Sequence, residues 1–380
     1  MRAKFKAAVS MSVTMSVTMS VALLLAACST TDKPKPTALE TFEPRIAGRA
    51  VWNMRLPGAS LAMTPTVRDG VMFVASGDGT VLALQADTGA EVWRASAGSA
   101  LSAGVGSDGR YTSVVTRGNE VVTFDAGREV WRKRLPSSVV TAPLVAGERV
   151  FVMSVDRAVH AFDAVDGRRL WVQQRPGEAL TLAQPGVVLA YRNTLLAGQG
   201  PRLAALDPSS GAVLWEASMA APRGTNEVER LADLIGPAVR IGDRVCARAF
   251  QSAVACADAS KGSVLWSRTV GGVNAVGSDA ERVFGADASD RITAWRTSNG
   301  DVSWTSEKLL YRGLSGALSV GPSVVFGDNE GYVHFLSAAD GTTQLRLPTD
   351  GSAIVGTPVI SGTTMMVMTR SGSLFAFRPN

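Results

Sequence analysis

The sequence contains few of the side chains on which most catalytic and metal sites depend. Among 380 residues there are 2 histidines and 3 cysteines, and no two cysteines are adjacent. Neither His160 nor His334 lies near a serine or cysteine pattern that would mark a nucleophile. The acidic stretches 77–79 and 327–331 lack the ligand spacing of an EF-hand and are typical of turns. We therefore predict no catalytic residues, no metal site and no cofactor.

A strong excess of one charge is also absent. The formal net charge is +5, and three of these charges lie within the first six residues. An uncharged, increasingly apolar stretch and then Cys28 follow, which is the pattern of a signal peptide over residues 1–27. Without this segment the chain is close to neutral, so it lacks the basic character that nucleic-acid binding requires.

The residues before Cys28 resemble the lipobox of bacterial lipoproteins, in which a lipidated cysteine becomes the new N-terminus. The alternatives are a membrane-spanning anchor and an ordinary signal peptide cleaved near Ala27. Residues 28–48 are mostly polar and contain several prolines, and we interpret them as a lipidated, flexible tether. Ser29 stands where an aspartate retains well-studied lipoproteins at the inner membrane. The resemblance therefore implies a lipid anchor in the outer membrane, on its periplasmic face.

One short unit recurs over the rest of the chain, residues 49–380. At 81–93 it consists of an apolar strand, an Asp-Thr-Gly turn and a second strand that ends at Trp93. Leu345 occupies the tryptophan position in one repeat, and tryptophans occupy it in the others, about 40 residues apart: Trp52, Trp131, Trp171, Trp215, Trp266 and Trp304. A period of about 40 residues built of strands and turns is the signature of a β-propeller.

The repeats predict an all-β fold, an eight-bladed β-propeller of four-stranded antiparallel blades. In the third repeat, the first strand is predicted at 141–145. The last repeat supplies only three strands, between residues 354 and 377, whereas residues 50–56 read as an isolated fourth strand. Pairing this N-terminal strand with the last three closes the ring and leaves no free edge.

The repeated tryptophan has two interpretations. It can fill the gap between adjacent blades, where a large rigid apolar side chain is buried. Alternatively, some of the tryptophans stack on a planar cofactor, because the repeat resembles that of pyrroloquinoline-quinone (PQQ) dehydrogenases, which are also eight-bladed. Those enzymes have adjacent cysteines and a calcium-bound quinone, and this sequence has no Cys-Cys pair. We adopt the first interpretation.

Cys246 and Cys256 form the one pair of residues with a clear chemical prediction. They lie symmetrically about Gln251, so a hairpin centred there places them opposite each other on neighbouring strands. An exported protein meets an oxidising compartment, which favours disulfide formation. We predict a disulfide in preference to a zinc site or a redox role.

The lipobox, the tryptophan-anchored repeats and the N-terminal closing strand together resemble the BamB family of lipoproteins. The resemblance spans residues 28–380, and the stretches 227–233 and 325–334 sharpen it. It implies a non-enzymatic scaffold of the outer-membrane β-barrel assembly (BAM) complex. Such a scaffold binds the POTRA domains of BamA and other complex members, and it assists insertion of unfolded outer-membrane proteins. The alternatives are a PQQ-dependent dehydrogenase-like protein and a general periplasmic binding scaffold.

Two long loops are predicted to form the partner-binding surface. The longest interval between repeat tryptophans runs from Trp215 to Trp266, and its excess length lies in residues 216–236. Long loops on a rigid scaffold often carry binding residues. The preceding repeat has an insertion at 176–184, whose two leucines would be exposed unless a partner covers them.

In the BamB family, loop leucines and a neighbouring acidic site contact BamA. The resemblance therefore points to Leu180, Leu182 and Asp233, and the charged loop that contains Asp233 adds Glu229 and Arg230 as predicted contacts. Two positions depart from the family pattern, because Ala183 replaces an arginine and Ile235 replaces an aspartate. These departures indicate a contact that relies more on leucine burial.

Overall fold

Every regular element in the described part of the chain is a β-strand. The structure is a computed structural model and describes residues 34–58, 63–175, 180–222 and 224–379. Within these residues, 32 strands form eight four-stranded antiparallel sheets. The predicted all-β, eight-bladed propeller is therefore confirmed. None of these residues forms a helix long and apolar enough to cross a membrane. Cys28 and the predicted signal peptide lie outside the described residues.

The strands are numbered in chain order. β1 spans Gly48–Arg55. Blade 1 consists of β2 (Thr66–Arg68), β3 (Val71–Ala75), β4 (Thr80–Gln85) and β5 (Glu91–Ser96). Blade 2 consists of β6 (Gly106–Ser107), β7 (Tyr111–Val115), β8 (Glu120–Asp125) and β9 (Arg128–Arg134). Blade 3 consists of β10 (Leu144–Ala146), β11 (Arg149–Met153), β12 (Ala158–Asp163) and β13 (Arg169–Gln174). Blade 4 consists of β14 (Val188–Tyr191), β15 (Thr194–Gln199), β16 (Arg202–Leu206) and β17 (Val213–Ser218).

The second half of the ring follows the same plan. Blade 5 consists of β18 (Leu234–Ile241), β19 (Arg244–Ala249), β20 (Ala253–Asp258) and β21 (Ser263–Thr269). Blade 6 consists of β22 (Gly277–Ser278), β23 (Arg282–Ala286), β24 (Ile292–Arg296) and β25 (Val302–Ser306). Blade 7 consists of β26 (Leu318–Val320), β27 (Ser323–Gly327), β28 (Tyr332–Ser337) and β29 (Thr343–Pro348). Blade 8 consists of β30 (Ile354–Ser361), β31 (Thr364–Thr369), β32 (Ser373–Pro379) and β1.

The first strand of each blade lies at the centre of the ring. The first strands of neighbouring blades contact one another all the way round, whereas the fourth strands lie at the rim. This crowding demands glycine, since a Cβ on Gly106 would lie 1.8 Å from the Pro143 carbonyl oxygen. The first strand of blade 3 is shorter than predicted: the sequence predicts it at 141–145, and it is found at Leu144–Ala146. Pro143 has no N–H to donate to a ladder, so the strand begins after it.

The ring closes as predicted. β1 pairs antiparallel with β32, in a register that runs from Gly48 opposite Pro379 to Arg55 opposite Ser373. The strand thus supplies the rim of blade 8 and covers the edge that β32 would otherwise expose.

Each rim tryptophan packs against a glycine in the third hairpin of the next blade. For example, a Cβ on Gly167 would lie 2.6 Å from Cδ2 of Trp131, and Trp131 Nε1 donates to the Ala164 carbonyl at 2.8 Å. The same contact recurs for six further pairs: Trp52 with Gly89, Trp93 with Gly127, Trp171 with Gly211, Trp215 with Gly262, Trp266 with Gly300, and Trp304 with Gly341. The tryptophans therefore fill the gaps between blades, which confirms the interpretation adopted from the sequence.

Leu345 replaces tryptophan in blade 7 because its neighbour lacks the necessary turn. In blade 8 the third and fourth strands are β32 and β1, which come from opposite ends of the chain. No hairpin joins them, so there is no turn glycine against which an indole could pack. Leu345 instead packs in an apolar cluster with Leu347 and Ile46.

Residues 37–47, which we call the strap, depart from the predicted flexible tether. They belong to the compact unit Thr37–Asn380. Thr37 N donates to the Leu310 carbonyl at 3.0 Å, and Arg45 N donates to the Gln344 carbonyl at 2.9 Å. Leu39 packs in an apolar cluster between blades 6 and 7. The polar, proline-containing composition suggested a tether, but these specific contacts hold the segment against the propeller.

The remaining predicted structural residues lie within strands. Cys246 on β19 is opposite Cys256 on β20, and the structure joins the two sulfur atoms in a disulfide. His160 lies on β12 and His334 on β28, and both side chains are buried.

Adding a methyl group beneath a tryptophan tests the contact between blades. We expect Gly167→Ala to lower the free energy of unfolding by about 2 to 5 kcal/mol, because it combines a positive φ with overpacking against Trp131. Gly147→Ala is the matched control, since Gly147 also has positive φ but a Cβ there would approach only the end of the Arg149 side chain, at 3.8 Å. That variant should lose about 1 to 2 kcal/mol. Equal losses in urea unfolding would contradict the packing role.

Candidate partner-binding site

The two long loops lie next to each other at one end of the ring. The first connects β13 to β14 and is described from Leu180 onward, and the second connects β17 to β18 and is described except for residue 223. Two short turns lie beside these loops, one between β11 and β12 and the other between β15 and β16. Because both turns belong to rigid hairpins, they provide fixed points to which the loops are bound.

Asp233 binds the first loop to the second. Its Oδ2 accepts a hydrogen bond from Leu182 N at 2.8 Å, and its Oδ1 lies 3.4 Å from Arg157 Nη2. Its side chain is only 16% exposed. The resemblance implied that this carboxylate contacts a partner, whereas the structure gives it an internal role in positioning the loop.

The two predicted leucines differ in exposure. Leu180 is 36% exposed, and its carbonyl accepts a hydrogen bond from Arg157 Nη2 at 3.4 Å. Leu182 is half-buried, beside Thr141 and Gly198 in the junction between blades 3 and 4. The expectation of two exposed leucines therefore fits Leu180, while Leu182 is partly covered.

Glu229 and Arg230 lie in a tight turn of the second loop. The Glu229 carboxylate accepts a hydrogen bond from Thr225 N at 2.8 Å, and Asn226 Oδ1 accepts one from Glu229 N at 2.9 Å. The hydrogen bonds from Thr225 lower the pKa of Glu229. Val228 projects from the same turn and is 71% exposed. The turn therefore presents an apolar tip beside an ordered carboxylate.

Arginines dominate the cavity between the loops. The cavity has a volume of about 250 Å³ and is lined by apolar groups that include Leu180 and Leu231. Four arginines also line it: Arg157, Arg175, Arg202 and Arg230. Glu216 pairs with Arg175 and lies 3.6 Å from Arg202. Burial and the neighbouring cations Arg202 and Arg157 lower the pKa of Arg175. The cavity thus combines apolar walls with positive charge, which suits an apolar side chain flanked by carboxylates.

Sequence reasoning missed three of these arginines. Arg157 lies in the short turn between β11 and β12, Arg202 begins β16 directly after the turn between β15 and β16, and Arg175 directly follows β13. In a propeller these turns share one end of the ring with the long loops, so their side chains were detectable candidates. Among the described residues, no three histidine, cysteine, aspartate or glutamate side chains come together as a metal site.

Removing the Asp233 carboxylate should release the first loop. We expect Asp233→Ala to increase amide hydrogen exchange at Leu182 by about 10-fold or more, because Leu182 N loses its acceptor. Asp233→Asn is the matched control, since an amide oxygen can still accept this hydrogen bond. Unchanged exchange in Asp233→Ala, measured by mass spectrometry, would show that the loop is held by other contacts.

Comparison with known proteins agrees with this architecture. The family model described as outer membrane protein assembly factor BamB matches residues 27–93 and 77–306. A relative of that name from Burkholderia pseudomallei is 35% identical over 94% of this chain and 95% of its own. The crystal structure of BamB from Moraxella catarrhalis has a TM-score of 0.79 at 22% identity, and the match covers 87% of this chain and 99% of that one.

A quinohemoprotein alcohol dehydrogenase from Comamonas testosteroni also has the fold, with a TM-score of 0.68. Its identity is 16%, over 87% of this chain and 76% of the dehydrogenase, so the likeness concerns the fold alone. The curated relative is instead named as an assembly factor, in agreement with the prediction that the chain is not an enzyme. By the family model and by this identity along nearly its whole length, the chain belongs to the BamB family of outer membrane protein assembly factors.

Proposed function

We propose that the chain is a lipid-anchored scaffold of the BAM complex that binds the POTRA domains of BamA through the two loops. The observation that carries the proposal is Leu180, exposed at the edge of the arginine-lined cavity and held there by Arg157 and Asp233. We infer BamA as the partner from membership of the BamB family, and we infer the chemical character of the bound segment from the residues that line the cavity.

The cavity favours a partner segment with an apolar side chain and nearby carboxylates. Leu180 and Leu231 provide apolar surface, and Arg202 and Arg230 provide donors for carboxylate oxygens. The Leu182 end of the loop is already held by Asp233, so binding loses less conformational entropy there. Val228 extends the apolar area beyond the cavity. Leu180 at the edge of the cavity is therefore an apolar contact flanked by cationic donors.

In this proposal the propeller assists the insertion of outer-membrane barrel proteins by holding BamA and other complex members. The lipid on Cys28 keeps the ring at the periplasmic face of the outer membrane, near the unfolded barrel proteins that BamA receives. Residues from Thr37 onward are bound to the propeller, so in this proposal only the residues before Thr37 link the lipid to the ring.

The leucines provide the first test. We expect Leu180→Ala combined with Leu182→Ala to weaken binding to the POTRA domains of BamA by about 1 to 4 kcal/mol, because apolar contact and loop packing are lost. The matched control is Val264→Ala combined with Leu265→Ala, an apolar pair on β21 with exposures of 40% and 41%. The control should bind like the parent protein in calorimetry.

The double leucine variant must also keep its fold for this comparison to count. Its melting temperature should stay within about 4 °C of the parent, because Leu180 is exposed and Leu182 is half-buried. Parental affinity in a folded Leu180 and Leu182 variant would exclude this surface as the BamA contact.

The anchor provides a separate test. Cys28→Ala should release the protein from membranes into the soluble periplasmic fraction, because acyl chains rather than an apolar helix hold it there. The same variant should take up no radiolabelled fatty acid. Ser29→Ala is the matched control and should remain membrane-bound. Unchanged sedimentation of Cys28→Ala with membranes would contradict lipid anchoring.

A further inference from the structure

The strap shows how the rim of one blade binds an extended peptide. At one end, Thr37 donates its N–H to the Leu310 carbonyl and accepts a hydrogen bond from Arg312 Nη1, both at 3.0 Å. At the other end, Arg45 N donates to the Gln344 carbonyl at 2.9 Å. The groove beside β29 is thus built to satisfy main-chain groups of a passing chain.

Two strap side chains add specificity. The Glu40 carboxylate lies 3.0 Å from Lys308 Nζ and also accepts a hydrogen bond from the Thr343 hydroxyl. The Phe42 ring lies beneath the Arg346 guanidinium, with 5.1 Å between Arg346 Cζ and the ring centroid. The groove therefore recognises an acidic residue followed two positions later by an aromatic one.

Blade 3 contains the equivalent groove. His160 and His334 occupy the same repeat position, on β12 and β28. Matching main-chain hydrogen bonds extend this correspondence, because Val155 N donates to the Ser138 carbonyl as Asn329 N donates to the Arg312 carbonyl. Counting from the histidines, four strap-binding positions of blade 7 have partners in blade 3: Leu310 with Pro136, Lys308 with Arg134, Thr343 with Arg169, and Arg346 with Val172.

The blade 3 groove is open where the blade 7 groove holds the strap. Its volume is about 580 Å³, and Pro136, Arg169 and Val172 line it. Val172 is 43% exposed. Within the described ranges, β13 pairs with β12 alone, and no strap residue has a hydrogen bond to blade 3. A surface with the shape of a peptide groove thus faces solvent.

The residues that differ between the blade 3 and blade 7 grooves indicate which peptide side chains the blade 3 groove would bind. At the position that meets Glu40, blade 7 offers the Lys308 ammonium and the Thr343 hydroxyl, with the Arg346 guanidinium nearby. By sequence correspondence, blade 3 has Arg134 and Arg169 at this position. Guanidinium groups bind carboxylates with paired hydrogen bonds. At the position that meets Phe42, blade 3 offers the apolar side chain of Val172. The blade 3 groove therefore keeps two cationic positions for a carboxylate and a site for an apolar group, while the Asp156 carboxylate also lines it.

We propose that the groove beside β13 binds an extended segment of a partner polypeptide in the manner of the strap. The segment places a carboxylate against Arg169, with Arg134 at the position that corresponds to Lys308, and, two residues later, an aromatic side chain on Val172. This site lies on the rim of blade 3, apart from the cavity between the loops. The groove does not depend on the proposed BamA contact, so an experiment can contradict one of the two proposals without contradicting the other.

A peptide with the strap sequence is the defined probe. A fluorescent peptide of residues 36–46 would be titrated into the full-length lipidated protein in detergent, with anisotropy as the readout. We expect saturable binding that Arg169→Glu weakens by about 10-fold or more, because an attractive charge becomes repulsive. A peptide carrying Glu40→Lys should regain affinity for the Arg169→Glu protein. Arg94→Glu, an equal charge change on the exposed rim of blade 1, should leave binding unchanged.

Three results would overturn the proposal. The first is the absence of saturable binding by the parent protein. The second is binding that Arg169→Glu leaves intact but Thr343→Glu abolishes, since the peptide would then be replacing the strap on blade 7. The third is self-association of the full chain that Arg169→Glu abolishes, which would assign the groove to the strap of a second copy. Because Arg169 is exposed, an unchanged melting temperature should accompany any loss of binding in Arg169→Glu.

Discussion

The packing of each rim tryptophan against the next blade is the interaction on which the ring depends. A single four-stranded blade has two apolar faces and cannot bury both alone. The indole of Trp131 covers the turn of blade 3, and its Nε1 satisfies the Ala164 carbonyl at 2.8 Å. The turn needs glycine because a Cβ on Gly167 would enter the indole. One short sequence unit thus specifies both the hairpin of its own blade and the contact with the preceding one.

Because an N-terminal strand closes the ring, the junction between blades 7 and 8 has no contact between a tryptophan and a turn glycine. Other interactions replace that contact. β1 takes the place of a hairpin in blade 8, so Leu345 has no turn to cover. Leu345 packs instead with Ile46, which directly precedes β1. Nearby, the buried Asp328 carboxylate accepts hydrogen bonds from Arg312 Nε and His334 Nε2, both at 2.8 Å, and Arg312 also binds the strap. The strap and this buried ionic group therefore strengthen the part of the ring that has no indole contact.

The sequence alone predicted the features that recur in every blade. It did not predict contacts that occur at a single position in the ring. The blades, the closing strand at 50–56 and the opposition of Cys246 and Cys256 follow from alternation and spacing, which are local properties. The strap escaped prediction because its composition is that of a linker, and Phe42 meets Arg346 only in the folded ring. The inward orientation of Asp233 escaped for the same reason. Its partners Arg157 and Leu182 are distant in sequence, so no pattern could show that the carboxylate is already bound.

The inward orientation of Asp233 changes how the departures from the family pattern are understood. A partner-facing carboxylate would add to binding directly, and the replacement of a second acidic residue by Ile235 would then weaken the contact. Ile235 is buried in the first strand of blade 5, where an unpaired carboxylate would be costly. Isoleucine there stabilises the strand that carries Asp233, and Asp233 in turn orders the loop that presents Leu180. In the proposed contact with BamA, a held apolar anchor therefore replaces a second charge, and a rigid anchor loses less entropy on binding than a mobile one.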